Sequence, residues 1–243
     1  MQKVLQLYAY IKELAVRQLR HSHMTYYLLK IPSFNQYKFA WAELTDKANV
    51  SDDFPKCPKC RRAVGQLYWL APHDIIIKQP KNVGDFVGGV IGTDLIVSES
   101  FKIKYEQSGL SGIENFIELN VVQMGTKKTF SYTTPKVFGA TIKISYTQVD
   151  YDKMGVTWFS NPEKNICDLC CPGGGGEGGI YQAYNKIAFR QETLTDLDFF
   201  IAINFVGNII ISERAKDFIE ANNFTNVTLT PDFDAKHDIF KAD

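Results

Sequence analysis

Thr93-Asp94-Leu95-Ile96-Val97-Ser98-Glu99-Ser100-Phe101-Lys102 reads as a short apolar strand that runs directly into a helix. Ser98 is placed to cap that helix, because its hydroxyl can accept from a backbone N–H left unpaired in the first turn. Glu99 favours the positive end of the helix dipole. Gly109 tolerates the left-handed conformation in which helices end, so the helix is predicted to stop there, and Ile113 to Val122 reads as the next strand. The arrangement returns without a gap at an offset of 114 residues (212 − 98). Asn208 to Ile211 is apolar, Ser212-Glu213 repeats the cap, Lys216 and Glu220 match Lys102 and Glu106, and Val227 to Leu229 matches the following strand. Asn223 stands where Gly109 stood, and Asn is the next most tolerant residue for a left-handed cap. Capping and the dipole account for both Ser-Glu starts, so they are read as structural rather than catalytic.

Each copy follows a pair of cysteines. Cys57-Pro58-Lys59-Cys60 and Cys167-Asp168-Leu169-Cys170 are offset by 110 residues (167 − 57). A Cys-x-x-Cys turn lets two thiolates face one metal, and two such turns complete a tetrahedral four-thiolate zinc site. The predicted ligands are Cys57, Cys60, Cys167 and Cys170, with zinc as a structural cofactor; Cys171 is the alternative to Cys170. Lys56, Lys59, Arg61 and Arg62 flank the first pair and would offset thiolate charge. The competing readings are a site that has lost its metal and a thioredoxin-type redox pair, and the latter lacks its βαβ context.

Elsewhere the pattern is coarser. Val4, Leu7, Ile11 and Leu14 recur at helical spacing, so residues 1–23 read as an amphipathic helix or arm, with Met24 an alternative start. Met24 to Leu29, Tyr37 to Trp41, Ile75 to Ile77 and Leu197 to Phe205 read as strands. Ala140 to Tyr151, with Ile142, Ile144 and Tyr146 alternating with polar residues, reads as one half-buried strand. Residues 24–243 are taken as a single α+β domain with pseudo-repeats over about 24–130 and 131–243.

Composition narrows the function. The 243 residues carry 27 basic and 27 acidic side chains, and this neutrality argues against a dedicated nucleic-acid binder. Residues 191–243 hold ten acids against four bases. Five cysteines, no evident leader and no apolar run of membrane length predict a cytoplasmic protein without a membrane partner. The Gly-rich stretch Gly173 to Gly179 lacks the Lys-Ser/Thr ending of a phosphate loop. His21, His23, His73 and His237 have no catalytic partner in sequence, and no nucleophile–base motif is found, so no enzymatic turnover is expected.

The paired motifs resemble the bacterial double-CxxCG motif immunity proteins. The elements that carry the resemblance are Asp85-Phe86, Val97-Ser98-Glu99 and Gly109-Leu110-Ser111-Gly112 in the first half. In the second they are Asp198-Phe199, Ile211-Ser212-Glu213 and Asn223-Phe224-Thr225-Asn226. Arg61 and Cys171 depart from the pattern, standing where the family has glycine. The resemblance implies an immunity protein that sequesters a cognate protein toxin, with no catalytic residues. It covers roughly Met24 to Ile239. The acidic C-terminal region, including Glu192, Asp196 and Asp198, is the expected contact surface if the toxin is basic, and neutralising these three is expected to leave the fold intact. The second reading is a zinc-ribbon-like nucleic-acid or regulatory module, favoured by the basic cluster beside Tyr68 and Trp69. The expected architecture is α+β: two related halves from an internal duplication, joined by a pair of CxxC zinc knuckles.

Overall fold

Both Ser-Glu junctions are strand-to-helix turns in the computed structural model of the protein, which describes residues 25–32, 38–45, 49–78, 82–89, 94–125, 127–128, 135–158, 167–170, 181–231 and 237–238. The strands are β1 (Tyr26–Lys30), β2 (Trp41–Leu44), β3 (Asn49–Val50), β4 (Trp69–Leu70), β5 (Asp74–Lys78), β6 (Phe86–Val87), β7 (Leu95–Ser98), β8 (Ile113–Met124), β9 (Lys127–Lys128), β10 (Val137–Ile142), β11 (Ile144–Ser145), β12 (Thr157–Trp158), β13 (Tyr181–Tyr184), β14 (Phe199–Ala202), β15 (Ile209–Ser212), β16 (Thr228–Pro231) and β17 (His237–Asp238). The helices are α1 (Glu99–Ser108), α2 (Tyr151–Met154) and α3 (Glu213–Ala221). The described residues are thus mostly β with a few short helices, rather than evenly α+β. The predicted N-terminal helix, the Gly-rich stretch, Cys171, His21 and His23 lie outside the described residues.

One sheet runs β2-β5-β8-β10-β7-β6. Its two edges meet, because Trp41 bridges Gly88 and the Ala42 N–H donates to the Gly88 carbonyl at 2.8 Å. The sheet therefore closes into a small barrel. Gly89 makes the seam possible: its φ is +121°, and a Cβ there would fall 2.2 Å from the Ala42 carbonyl oxygen. Every strand feeds the interior, with Ala42, Ile75, Val87, Ile96, Leu119 and Val137 buried together.

The outer face of this barrel packs against a second sheet, β11-β14-β15-β1-β16. Phe86, Val97 and Phe138 from the barrel meet Leu29, Phe199 and Ile211 from the second sheet, with Phe101 of α1 and Ile219 of α3 in the same core. The far face of the second sheet, including Leu28, Phe200 and Ile210, is covered by Val149, Met154 and Phe189. Burial on both faces explains why Phe199–Ala202 and Ile209–Ser212 are continuous apolar runs rather than alternating ones.

The sheets do not follow the order of the chain. β1 lies between β15 and β16, and β10 lies between β7 and β8. The orders β16-β1-β15-β14 and β8-β10-β7-β6 correspond, with Tyr26 opposite Ser212 and Val137 opposite Ser98. A polar lattice ties the two sets. Ser98 Oγ accepts from the Phe101 N–H at 3.1 Å and donates to Asp85 at 2.8 Å. Ser212 Oγ accepts from the Ala215 N–H at 3.2 Å and donates to Asp198 at 2.8 Å. The other oxygen of Asp85 accepts from the Thr225 N–H and hydroxyl, each at 2.9 Å. That of Asp198 accepts from the Ser111 N–H at 2.9 Å and hydroxyl at 3.0 Å. Each aspartate thus joins its own helix cap to the turn that follows the other helix. Gly109 and Asn223 both adopt positive φ, 69° and 52°, as their cap positions require.

Two expectations are corrected here. Ala140 to Tyr151 is not one strand. The chain crosses from barrel to second sheet at Lys143, whose N–H donates to the Gly112 carbonyl and whose own carbonyl accepts from Ile201, and Tyr151 opens a helix capped by Asp150. Asp198 is not part of a solvated acidic face. It is 5% exposed, because three hydrogen-bonded groups and the Arg214 guanidinium, at 2.6 Å, enclose it. Glu192 and Asp196 are exposed as expected.

Candidate metal centre

The first cysteine pair sits on a tight hairpin. The Arg61 N–H donates to the Cys57 carbonyl at 2.9 Å, and the Cys57 N–H donates to the Arg62 carbonyl at 2.7 Å. Arg61 closes the turn with φ +64°, so it accepts the left-handed conformation that the expected glycine would adopt freely. The cost of a Cβ in that region is about 1–2 kcal/mol, and the hairpin forms despite it.

The second pair is held from behind. Gln148, 6% exposed, donates through Nε2 to the Asp168 and Leu169 carbonyls at 3.1 and 2.9 Å. Its Oε1 accepts from Arg190 at 3.2 Å. Nothing in the sequence singled out Gln148, because a glutamine twenty residues before the turn (168 − 148) carries no local signature.

The two turns converge. Cys57, Cys60, Cys167 and Cys170 place their sulfurs within 4.8 Å of one another, with Cys57–Cys167 at 3.9 Å and Cys60–Cys170 at 3.4 Å. All four are free thiols, and Val64 and Ile203 pack around them. Four sulfurs at a zinc–sulfur distance of about 2.3 Å form a tetrahedron with edges of about 3.8 Å. The cluster fits such an ion closely. The four-thiol chemistry also suits zinc, since soft sulfur donors select it over hard cations.

Electrostatics agree. Burial opposes ionisation of Cys167, yet the N–H groups of Cys170 and Leu169 and the neighbouring thiols draw its pKa down to about 7. The Arg62 N–H favours a Cys60 thiolate, but burial and the thiols of Cys167 and Cys57 leave its pKa raised. A bound dication would deprotonate the thiols that ligate it. Lys59 bridges the turns by pairing with Asp168 at 2.6 Å, a contact that raises the lysine pKa and lowers that of the aspartate. Lys56 pairs instead with Asp53, also at 2.6 Å. The basic cluster read from the sequence is therefore partly neutralised by carboxylates of the chain.

His73 stacks edge-on against Trp69, and its Nε2 lies 3.1 Å from the Trp69 carbonyl oxygen, away from the cysteines. No helix among the described residues is long and apolar enough to cross a membrane. The chain matches no protein-family model and no curated protein.

Proposed function

We propose that the protein is a cytoplasmic immunity protein that neutralises a cognate bacterial toxin by stoichiometric binding, with no turnover of its own. One structural zinc would be held by Cys57, Cys60, Cys167 and Cys170. The observation that carries this reading is the reciprocal lattice. The motif residues shared with the double-CxxCG proteins, Asp85, Ser98, Asp198 and Ser212, occupy corresponding positions in one hydrogen-bonded arrangement. The same correspondence supports descent of the two halves from a duplicated unit. In this reading the metal pins together segments 110 residues apart (167 − 57), so its contribution is to folding. Glu192 and Asp196 are exposed, and in this reading they steer a basic toxin.

The zinc-ribbon-like nucleic-acid or regulatory module has less support, because Lys56 and Lys59 are already paired. The deciding experiment is co-expression with the product of the adjacent toxin reading frame. A one-to-one complex and survival of the host are expected. Survival without a complex would overturn sequestration, and a salt-sensitive gel shift with nucleic acid would favour the alternative.

A further inference from the structure

The barrel has an open mouth. Beneath the segment that follows the first cysteine hairpin lies a cavity of about 340 Å³, reaching from Pro55 and Gly65–Trp69 to Asp94 and the strands β8 and β10. Its floor is Gly139, which pairs with Ile117 on β8 and Ile96 on β7 and faces the barrel interior with them. A residue without a side chain at the centre of three strands leaves the space open. The volume is at the small end of ligand sites, near ~300 Å³, and barrel mouths are common places for them.

Two acidic residues line this cavity, the partly buried Asp94 and the exposed Glu114. Asp94 precedes β7 and is mostly buried; one oxygen accepts from the Ile142 N–H at 2.7 Å. Glu114 is delivered by a β-bulge. Asn115 pairs with Thr141 but Ile113 pairs with Ile142, so Glu114 is the unpaired extra residue. Bulges re-aim side chains in this way. Neither carboxylate has an ion pair among the described residues; Lys143, on the rim, is exposed and pairs with neither. Burial, with Glu114 nearby, holds the Asp94 pKa up at about 6 against the pull of the Ile142 N–H, as expected of a carboxylate lacking a cation. A second observation is independent of the acids. Trp69 forms part of the wall, is 7% exposed, and its indole N–H has no acceptor among the described residues. Leu67, Ile142 and Ile144 give the wall an apolar stretch, beside the polar Gln66, Asn115 and Thr141.

We infer that the barrel mouth binds a basic amino-acid residue of a peptide: a guanidinium or ammonium group on an apolar stem, carrying a carbonyl acceptor. The cation meets Asp94 and Glu114, the stem lies along the apolar wall, and an aromatic face borders it. This site is separate from the cysteine cluster and does not depend on the toxin reading.

The test is a titration of the zinc-loaded, isotope-labelled full chain followed by NMR, reading the Trp69 indole and the Asn115, Thr141 and Ile142 amides. The probes are N-acetyl-arginine methylamide, n-butylguanidine (the same guanidinium and stem without the carbonyl) and pentanol (the stem without charge). Saturable shifts at these residues are expected with the arginine amide, weaker ones with n-butylguanidine, and none with pentanol. Asp94→Asn should weaken binding at least about tenfold, the equivalent of one charge-assisted hydrogen bond. Gly139→Val should abolish binding while leaving the rest of the spectrum and the zinc content unchanged. n-Butylguanidine binding more tightly than the arginine amide would overturn the peptide source. The cation site itself is overturned if no probe saturates, if Asp94→Asn binds equally well, or if pentanol competes.

Discussion

Asp198→Ala tests the interlocking lattice most directly. The substitution removes the acceptor for the Ser212 hydroxyl, the Ser111 N–H and the Ser111 hydroxyl, and it strands the Arg214 guanidinium. Arg214 is 63% exposed, so its ion pair contributes about 0–1 kcal/mol. The buried groups matter more. Leaving one donor unpaired costs about 1–3 kcal/mol, and losing the two hydroxyl hydrogen bonds adds about 0.5–1.5 kcal/mol each, so a total of about 3–4 kcal/mol is expected. Asp85→Ala removes the matching bonds from Ser98 and Thr225 at a less buried site, where water can replace them; about half that loss is expected. Arg214→Ala should cost about 0.5 kcal/mol. The assay is urea unfolding of the reduced, zinc-loaded protein with tryptophan fluorescence and circular dichroism recorded together. At a slope of about 3 kcal/mol per molar urea, Asp198→Ala should lower the midpoint by about 1 M without changing the slope. A loss below about 1 kcal/mol, or one equal to that of Arg214→Ala, would refute the view that Asp198 is a structural keystone rather than a surface acid.

Other substitutions separate the remaining claims. Purified protein should hold about one zinc per chain, and Cys57→Ser should lower both zinc content and thermal stability; unchanged stability after loss of the metal would remove the cluster from the folding argument. Gly109→Ala should cost about 1 kcal/mol from left-handed strain alone, since a Cβ there meets nothing within 4 Å. Gly112→Ala should cost about 3 kcal/mol or more, because at φ +107° its Cβ would fall 1.8 Å from the Phe199 carbonyl oxygen; equal melting temperatures for the two variants would contradict this close approach. Asp94 sets a pH dependence: its folded pKa of about 6 lies above the ordinary aspartate value of 3.8, so the native state retains the proton longer. Its contribution is fully present below about pH 4 and is lost as pH rises through 6, amounting to about 2–3 kcal/mol. Asp94→Asn should be more stable than the parent at pH 7.5 and should converge with it near pH 4, so parallel stability curves would reject the burial argument.

The features legible in the sequence were those written in short, local code. Ser98 and Ser212 announced their caps because capping needs one residue beside one helix start. Gly109 and Asn223 announced left-handed ends for the same reason. Cys-x-x-Cys spacing marked the four cysteines that converge, since the turn itself directs both sulfurs to one side. Asp198 misled because a count of acids over residues 191–243 cannot show that its partner Ser111 lies 87 positions away. Ala140 to Tyr151 misled because alternation specifies which face a residue takes and not which sheet. Ile142 and Ile144 are both inward-facing, yet the strands that hold them belong to different layers. Gln148, the barrel seam at Gly88 and the bulge at Glu114 have only long-range causes, and none left a periodic trace.

The placement of β1 has a consequence for synthesis. Tyr26–Lys30 is made long before β15 and β16, its sheet neighbours among the described residues. Until Ile209–Pro231 is made, an apolar strand waits with both edges unpaired, a state prone to pairing with other nascent chains. β10 shows the opposite timing, since β7 and β8 are already present when Val137–Ile142 appears. The barrel can therefore assemble during translation, whereas the second sheet must close afterwards around a strand made long before it. Sequence-distant pairings of this kind are slow to form, so the yield of soluble protein should depend on how well β1 is shielded until β15 and β16 are synthesised.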